Sequence, residues 1–254
     1  TSNTFVNSKG VNYQVLLEDP SPEQPGLHTQ IFGSGITLFN NDDLVVLNNE
    51  ITQDTILDFG NPVIKGVVQA SAIQIVNSSA GLVQENSIEQ TGQGIDMTGS
   101  LSLQVTDNFI AQCHSAGIKL VNGSNLIVVD DNYITHCGLT GVWVSVGVAG
   151  NGGSFDNVVR NNTLVAIGQG YGQEFWVGNF ALSTPAAIHL QAAQQESDRV
   201  RNNLIVDNRA YQIEELVGIV VAEPSNAGSP LVAIDNEIVN NVEGDGPTPL
   251  PPLF

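Results

Sequence analysis

Basic residues are scarce in this chain. Of its 254 residues only 7 are Lys or Arg, against 26 Asp or Glu, so the formal net charge at pH 7 is −19. Nucleic acids and acidic membranes attract basic surfaces, and a charge this negative repels both. The composition therefore argues against a nucleic-acid partner and against membrane binding, and it fits a secreted or cell-surface protein.

Cysteines, aromatic residues and long apolar runs are also few. The two cysteines do not make a disulfide framework, aromatic residues are 6% of the chain, and no run of apolar residues is long enough to predict a membrane span. The first residues show neither an initiating Met nor a signal-peptide pattern, which fits a processed form or an excised domain. Glycine is frequent, with 26 residues, and such a mixture is typical of short strands joined by tight turns.

A repeat runs through most of the chain. An Asn-x-aliphatic step recurs seven times, with a small aliphatic residue three positions before each asparagine. The asparagines are Asn49, Asn86, Asn108, Asn132, Asn162, Asn203 and Asn236, and the preceding aliphatic residues are Val46, Val83, Val105, Val129, Val159, Val200 and Ala233. A second signature, Gly-Ile-x-Leu or a close variant, begins at Gly35, Ala72, Gly94, Gly117, Gly141, Ala187 and Gly218.

The spacing of the repeat predicts stacked coils of parallel strands. Asn86 and Asn108 lie 22 residues apart, and Asn108 and Asn132 lie 24 apart, which is one turn of a solenoid built from short strands. Apolar residues alternate with polar ones inside each turn, so one set points inward and stacks on the next coil. No coil buries its apolar face alone, and the stack is therefore the folding unit.

The pattern resembles the right-handed parallel β-helix proteins of the pectate-lyase-like superfamily. The resemblance covers about Gly33 to Asn241 and implies an all-β fold, a single-stranded right-handed parallel β-helix of about seven coils with loop insertions on one face. We therefore predict an N-terminal cap or lead-in segment over 1–32, the β-helix over 33–241, and a Pro-rich C-terminal tail over 242–254.

Insertions indicate where a site would lie. Spacings are longest around the Gly-Ile-x-Leu strands, and in the carbohydrate-active members that the chain resembles, the cleft lies over the corresponding sheet. The third residue of each of these strands is predicted to point outward, which gives the column Thr37, Gln74, Asp96, Lys119, Trp143, His189 and Val220. Since neighbouring coils are about 4.8 Å apart, Asp96 to His189 would form a track of about 14 Å, the reach of a few sugar units.

The candidate catalytic residues are Lys119, His136, Tyr133, His189 and Asp96. Lys119 or His136 would act as the base next to a uronate carboxyl, and Tyr133 or His189 would return the proton. The structural alternatives are an ion pair between Lys119 and Asp96 one coil away, and histidines without a role.

The candidate substrate-binding residues are Trp143, Gln74, Arg160, Tyr171, Glu174 and Trp176. An exposed Trp suits sugar stacking, but packing of the loop 165–186 on the sheet would explain Trp143 and Trp176 equally well. Arg160 would neutralise a carboxylate, or form a structural charge column with Asp130 and Arg201. Cys113 and Cys137 fall at equivalent inward positions, as a bridge or as buried thiols.

This assignment of catalytic and binding residues requires no cofactor. No metal site is predicted, because the histidines lack zinc-ligand spacing. Steps such as Asp130-Asp131-Asn132 are compatible with calcium.

Two classes of function follow, and the enzyme class is favoured. The first is a secreted carbohydrate-active protein with lyase or C5-epimerase chemistry on a uronate-containing glycan. The second is a non-catalytic extracellular module of the adhesin, filament or tail-spike-like kind, as a homo-oligomer or as part of a larger extracellular protein. A glycoside hydrolase is a further alternative, which needs two carboxylates about 5–10 Å apart.

Overall fold

The computed structural model describes most of the solenoid. The described residues are 4–6, 9–12, 15–18, 29–32, 34–53, 71–146, 151–168, 186–192, 199–212, 218–224 and 233–244. None of these segments is a helix with the length and hydropathy that a membrane crossing needs.

All regular elements in the described segments are strands. In chain order they are β1 (Thr4–Val6), β2 (Lys9–Asn12), β3 (Val15–Glu18), β4 (Thr29–Phe32), β5 (Ser34–Phe39), β6 (Asp42–Leu47), β7 (Glu50–Gln53), β8 (Ser71–Val76), β9 (Ser79–Gln84), β10 (Ser87–Glu89), β11 (Gln93–Thr98), β12 (Leu101–Thr106), β13 (Phe109–Ala111), β14 (Ala116–Val121), β15 (Val128–Asp130), β16 (Tyr133–Thr135), β17 (Thr140–Ser145), β18 (Val158–Arg160), β19 (Thr163–Val165), β20 (Ala186–Ala192), β21 (Val200–Arg201), β22 (Leu204–Val206), β23 (Arg209–Tyr211), β24 (Gly218–Pro224), β25 (Ala233–Ile234), β26 (Glu237–Val239) and β27 (Val242–Gly244).

Three long parallel sheets form the faces of the solenoid. The first sheet has the order β1-β6-β9-β12-β15-β18-β22-β26, the second β2-β7-β10-β13-β16-β19-β23-β27, and the third β24-β20-β17-β14-β11-β8-β5. Within each regular coil the chain visits the third, the first and the second sheet in turn, so each strand pairs with one a full coil away. The predicted all-β parallel β-helix is confirmed.

Both predicted end segments contribute strands to these sheets. In the lead-in segment, β1 pairs with β6 and β2 pairs with β7, both in parallel. At the start of the predicted tail, β27 pairs with β23 in the second sheet. The pair β3 and β4 is antiparallel.

The core is a set of stacked aliphatic columns. In the third sheet the column Ile73, Ile95, Ile118, Val142 and Ile188 is fully buried, and each member pairs in register with the next. The first and second sheets add Val46, Val83, Val105, Val129 and Val159, and Ile51, Ile88, Ile110, Ile134 and Leu164. Each such side chain contributes roughly 1.5–3 kcal/mol by burial. The predicted alternation along the strands places these residues inside.

A buried asparagine ladder closes the corner between the first and second sheets. The amide Nδ2 of Asn108 donates to Asn132 Oδ1 at 2.9 Å, and the backbone N–H of Asn108 donates to the same oxygen at 3.1 Å. The amide also donates to the carbonyl oxygen of Val83, so it satisfies backbone groups that the corner would otherwise bury without partners. The ladder comprises Asn49, Asn86, Asn108, Asn132, Asn162, Asn208 and Asn241.

The prediction that Asn203 and Asn236 continue this ladder is wrong. They stack on Asn157 in a second, shorter ladder, with Asn157 Nδ2 donating to Asn203 Oδ1 at 3.0 Å and Asn203 Nδ2 to Asn236 Oδ1 at 2.9 Å. Asparagines five residues apart occupy two different corners of the same coil, and both fit an Asn-x-aliphatic pattern.

Because the repeat was assigned to Asn203 instead of Asn208, the predicted positions of neighbouring residues change as well. Val200 and Ala233 pair with each other in a separate two-stranded sheet, and Ile205 follows Val159 in the aliphatic column of the first sheet. Arg201 pairs with Ile234 and therefore does not continue the column of Asp130 and Arg160, where Val206 stands. In the sequence, Gly218 follows Asn203 by 15 residues. This spacing is not an insertion, because Asn208 is the true corner residue and lies 10 residues before Gly218.

Glycine is required at the corner that leads into the third sheet. A Cβ atom at Gly117 would lie 2.5 Å from Cγ2 of Ile134 and 2.9 Å from the carbonyl oxygen of Gly141, and one at Gly141 would lie 2.3 Å from Cδ2 of Leu164. Ala72 and Ala187 occupy the same column, so glycine is required at Gly117 and Gly141 but not in every coil. Cys113 and Cys137, in the adjacent corner, are buried free thiols, and burial raises the pKa of Cys137.

Candidate functional site

The outward column of the third sheet forms one continuous row. Backbone pairing joins in register Thr37, Gln74, Asp96, Lys119, Trp143, His189 and Val221, which we call the third-sheet track. Six of the seven predicted members are confirmed in place. Val220 is wrong, since it pairs with Ile188 in the inward column, and Val221 takes its position.

The track is less accessible than an outward column was expected to be. Thr37 is exposed, and Gln74, Lys119 and Trp143 are half-buried. Asp96 is only 7% exposed and His189 is fully buried. The accessible centre of the track is therefore the segment from Gln74 to Trp143, with Asp96 recessed between Gln74 and Lys119.

Lys119, Trp143 and His189 stack on one another across three coils. The Lys119 ammonium lies 5.5 Å from the centroid of the Trp143 ring, and the Trp143 and His189 rings are 6.2 Å apart and inclined by 9°. A cation over a tryptophan face is stabilised by the ring quadrupole. The predicted alternative of an ion pair between Lys119 and Asp96 is wrong: within the described segments no such pair forms within 4.0 Å, and Asp96 Oδ1 accepts from Thr98 Oγ1 at 3.3 Å.

Polar pairs flank the track on the same sheet. Ser71 Oγ donates to Gln93 Oε1 on the N-terminal side of the strands, and Ser145 Oγ donates to Gln191 Oε1 on the C-terminal side, each at 3.4 Å. The Nε1 atom of Trp143 is buried and has no hydrogen-bond acceptor among the residues that the structure describes. A buried indole N–H normally finds an acceptor, so this N–H is an unsatisfied donor within the described segments.

Tyr133 and His136 lie on another face. Tyr133 is in the outward column of the second sheet, stacked on Phe109 with ring centroids 5.8 Å apart, and burial raises its pKa. His136 is exposed at the end of the same strand, with a left-handed φ of 53°, and its Nδ1 lies 2.7 Å from Thr135 Oγ1. The predicted grouping of Tyr133 and His136 with Lys119 around one sugar is wrong, because a corner of the solenoid separates their sheets.

Arg160 lies on the third face of the molecule, in the first sheet. It forms an ion pair with Asp130 of the previous coil, with Nη2 2.6 Å from Oδ2, and Asp130 raises the pKa of the guanidinium. The structural alternative is thus confirmed for this pair, and Arg160 does not share a face with Lys119. Tyr171, Glu174 and Trp176 lie outside the described residues.

Sequence reasoning missed a second row, at the outer rim of the asparagine corner. The residue before each ladder asparagine is exposed and has a left-handed φ between 52° and 56°. These residues are Asn48, Glu85, Asp107, Asp131, Asn161, Asp207 and Asn240. Asn and Asp tolerate this conformation best, and the recurring Asp-Asn or Asn-Asn step is the signal that points to the row.

The C-terminal half of this row borders a concavity of about 580 Å³, which we call the corner groove. Its lining residues are Asp131, Asn161, Thr163, Asp207, Arg209, Asn240 and Val242. Burial, together with the nearby carboxylates of Asp130 and Asp107, raises the pKa of Asp131. No group of three or more His, Cys, Asp or Glu side chains in the described segments is arranged to hold a metal ion, and calcium stays a prediction.

Comparison with known proteins identifies the family. The model of the family described as "Right handed beta helix region" matches residues 34–214, well over half of the chain. The chain belongs to this right-handed β-helix family. No curated protein matches the chain at a significant level.

Solved structures show the same fold at low identity. The catalytic domain of a GH87 alpha-1,3-glucanase in complex with tetrasaccharides matches with a TM-score of 0.55 and 12% identity, over 90% of this chain and 47% of that one. The tailspike protein of E. coli bacteriophage HK620 in complex with pentasaccharide matches with a TM-score of 0.49 and 10% identity, over 97% and 45%. The chain thus spans about half the length of these two structures. The similarity concerns the fold alone.

Proposed function

We propose that this β-helix protein is secreted or displayed at a cell surface and acts on a uronate-containing polysaccharide that lies along the third-sheet track. The observation that carries this proposal is the row of Gln74, Asp96, Lys119 and Trp143, in register and on one face. The binding of oligosaccharides by the glucanase, which shares the fold, is consistent with it.

The roles follow from the charges and donors in the row. Lys119, held over the Trp143 ring, presents the positive charge that pairs with a uronate carboxylate. The accessible part of the Trp143 ring packs against a sugar, and Gln74, three coils away, supplies a donor and an acceptor to another sugar unit.

The proposed chemistry is β-elimination. Asp96 accepts the C5 proton of the uronate, the electrons of the C5–H bond form the C4=C5 double bond, and the C4–O4 bond breaks. The O4 atom leaves with the bonding pair and takes a proton from water. Lys119 beside the carboxylate stabilises the negative charge that develops at C5. In an epimerase the same carbanion would instead take a proton on its opposite face.

A panel of alginate, pectate and hyaluronan tests this proposal. We expect ultraviolet absorbance from an unsaturated uronate product with one of them, and a loss of at least about a hundredfold in kcat/KM for Lys119→Ala. Arg160→Ala removes one positive charge from the first sheet and is the matched control. Absence of product from every polymer, or equal losses in both variants, would contradict the proposal.

The non-catalytic alternative has one observation in its favour. Asp96 is recessed and His189 is fully buried, so the titratable groups of the track present little surface to a polymer. A binding module would retain saturable binding of the same polymers, weakened by Lys119→Ala, and would release no unsaturated product. Binding without product on the full panel would therefore replace the lyase proposal with this one.

A further inference from the structure

An aromatic pair on the second sheet leads directly into the corner groove. Phe109 and Tyr133 stack in register, and the same outward column continues with Thr163, Arg209 and Val242, three lining residues of the groove. Both rings are half-buried, so one part of each remains accessible. The pair of Phe109 and Tyr133, which we call the platform, and the corner groove thus form a single strip along the solenoid axis.

The corner groove contains charged side chains that have no hydrogen-bond or ion-pair partner within the described segments. Within the described segments, the carboxylates of Asp131 and Asp207 and the guanidinium of Arg209 make no hydrogen bond and no ion pair within 4.0 Å. Asn161, between the two aspartates, donates to Asp130 Oδ1 at 2.8 Å. Asp131, Asn161 and Asp207 follow one another at the spacing of the coils, about 4.8 Å, and Arg209 lies in the neighbouring column.

This set of groups fits a neutral sugar chain. Carboxylates accept hydrogen bonds from hydroxyl groups, Arg209 donates to ring or hydroxyl oxygens, and an aromatic face covers the C–H face of a pyranose. A polyanion would meet the carboxylates of Asp107, Asp131 and Asp207 on this face, and repulsion disfavours it.

We propose that the strip from Phe109 and Tyr133 through Asp131, Asp207 and Arg209 is a second carbohydrate-binding site, for a neutral oligosaccharide. It lies on a different face from the third-sheet track and differs in its chemistry. The track offers a cation to a uronate, whereas the strip offers carboxylates to hydroxyl groups. A polysaccharide with charged and neutral stretches would occupy both faces.

Calorimetric titration with neutral hexasaccharides tests the second site. The probes are β-1,4-, β-1,3-, α-1,4- and α-1,3-linked glucose hexamers and the β-1,4-linked N-acetylglucosamine hexamer, each with a chelator present. We expect saturable binding of at least one probe and a loss of about tenfold or more in affinity for Asp131→Asn combined with Asp207→Asn. Tyr133→Ala removes half of the platform and should weaken binding by a similar factor.

The chain supplies matched controls. Asn already occupies the equivalent left-handed position at Asn48, Asn161 and Asn240, so the aspartate changes keep the local backbone. Asp43→Asn combined with Asp156→Asn makes the same charge change at exposed left-handed positions at a different corner, and binding should be unchanged.

The outcomes separate this site from the third-sheet track. Lys119→Ala should leave neutral binding intact, even if it abolishes every effect on uronates. Failure of all five probes to bind, binding that appears only when calcium replaces the chelator, or equal losses in the test and control pairs would overturn the second site. None of these results depends on whether the track is a lyase centre.

Discussion

The asparagine ladder and the third-sheet track are built by the same stacking but differ in what they repeat. In the ladder every described coil supplies the same residue, and each inner amide, from Asn86 to Asn208, is buried and hydrogen-bonded to the coils on either side. In the track each coil supplies a different residue, from Thr37 to Val221. A column that repeats one residue holds the coils in register. A column that varies presents a chemical pattern to a ligand.

The largest expected effect comes from breaking the ladder at its centre. Asn132→Ala removes the acceptor of the Asn108 backbone N–H, one acceptor of the Asn108 amide and the donor to the carbonyl oxygen of Val105, all in a buried corner. We expect the free energy of unfolding to fall by about 4 kcal/mol, measured by urea denaturation. Asn151→Ala, at an exposed position, is the matched control. A loss under about 1 kcal/mol would show that the ladder does not hold the register.

A buried residue that does not repeat should give stability a pH dependence. Burial lowers the pKa of His114 from 6.5 to about 4. The unfolded chain therefore binds a proton on this histidine below about pH 6.5, whereas the folded protein binds it only below about pH 4. The free energy of unfolding falls as the pH decreases through that window. The loss approaches roughly 3 kcal/mol.

Unfolding measured at several pH values checks this expectation. His114→Asn should flatten the curve between pH 6.5 and 4, and the same change at exposed His136 is the matched control. An unaltered slope in the His114 variant would contradict the assignment.

The glycine corner should be less sensitive than the ladder. Gly117→Ala places a Cβ against Ile134 and the Gly141 carbonyl oxygen, and we expect a cost of about 2 kcal/mol from overpacking. Thermal denaturation should show a lower Tm. An unchanged Tm would show that the corner accepts a Cβ atom and would contradict this expectation.

Outward residues should contribute least to stability. Arg160→Ala removes an ion pair whose guanidinium side chain is 49% exposed, and we expect a loss below about 1 kcal/mol that shrinks further in high salt. Lys119→Ala should likewise leave the fold intact while weakening uronate binding. If either outward change cost as much as Asn132→Ala, the division between columns that hold the register and columns that bind would fail.

Columns that repeat were predictable from the sequence, and columns that vary only partly. The ladder from Asn49 to Asn162 follows from spacing alone. It was misassigned at Asn203 because Leu204 and Ile205 match the Asn-x-aliphatic pattern better than Arg209 and Ala210, which follow Asn208. The row of Asp107, Asp131 and Asp207 escaped notice because the Asp-Asn steps that mark it were interpreted only as candidate calcium ligands.

The solvent exposure and the face of a side chain were harder to predict than the register of its strand. The alternation placed Asp96, Lys119, Trp143 and His189 in one column correctly, but burial depends on what covers the sheet. His189 is therefore inaccessible although it points away from the core column. Tyr133 and His136 were grouped with the track because they are near it in sequence, whereas a corner of the coil turns them onto another face.

Fluorescence of Trp143 tests the proposed binding site most directly. The chain has two tryptophans, so Trp176→Phe leaves Trp143 as the sole reporter. Titration of this variant with alginate and pectate hexamers should give a saturable change in emission with at least one of them, and Lys119→Ala should abolish it. Calorimetric binding of the same hexamers with no change in Trp143 emission, or no binding at all, would contradict the account.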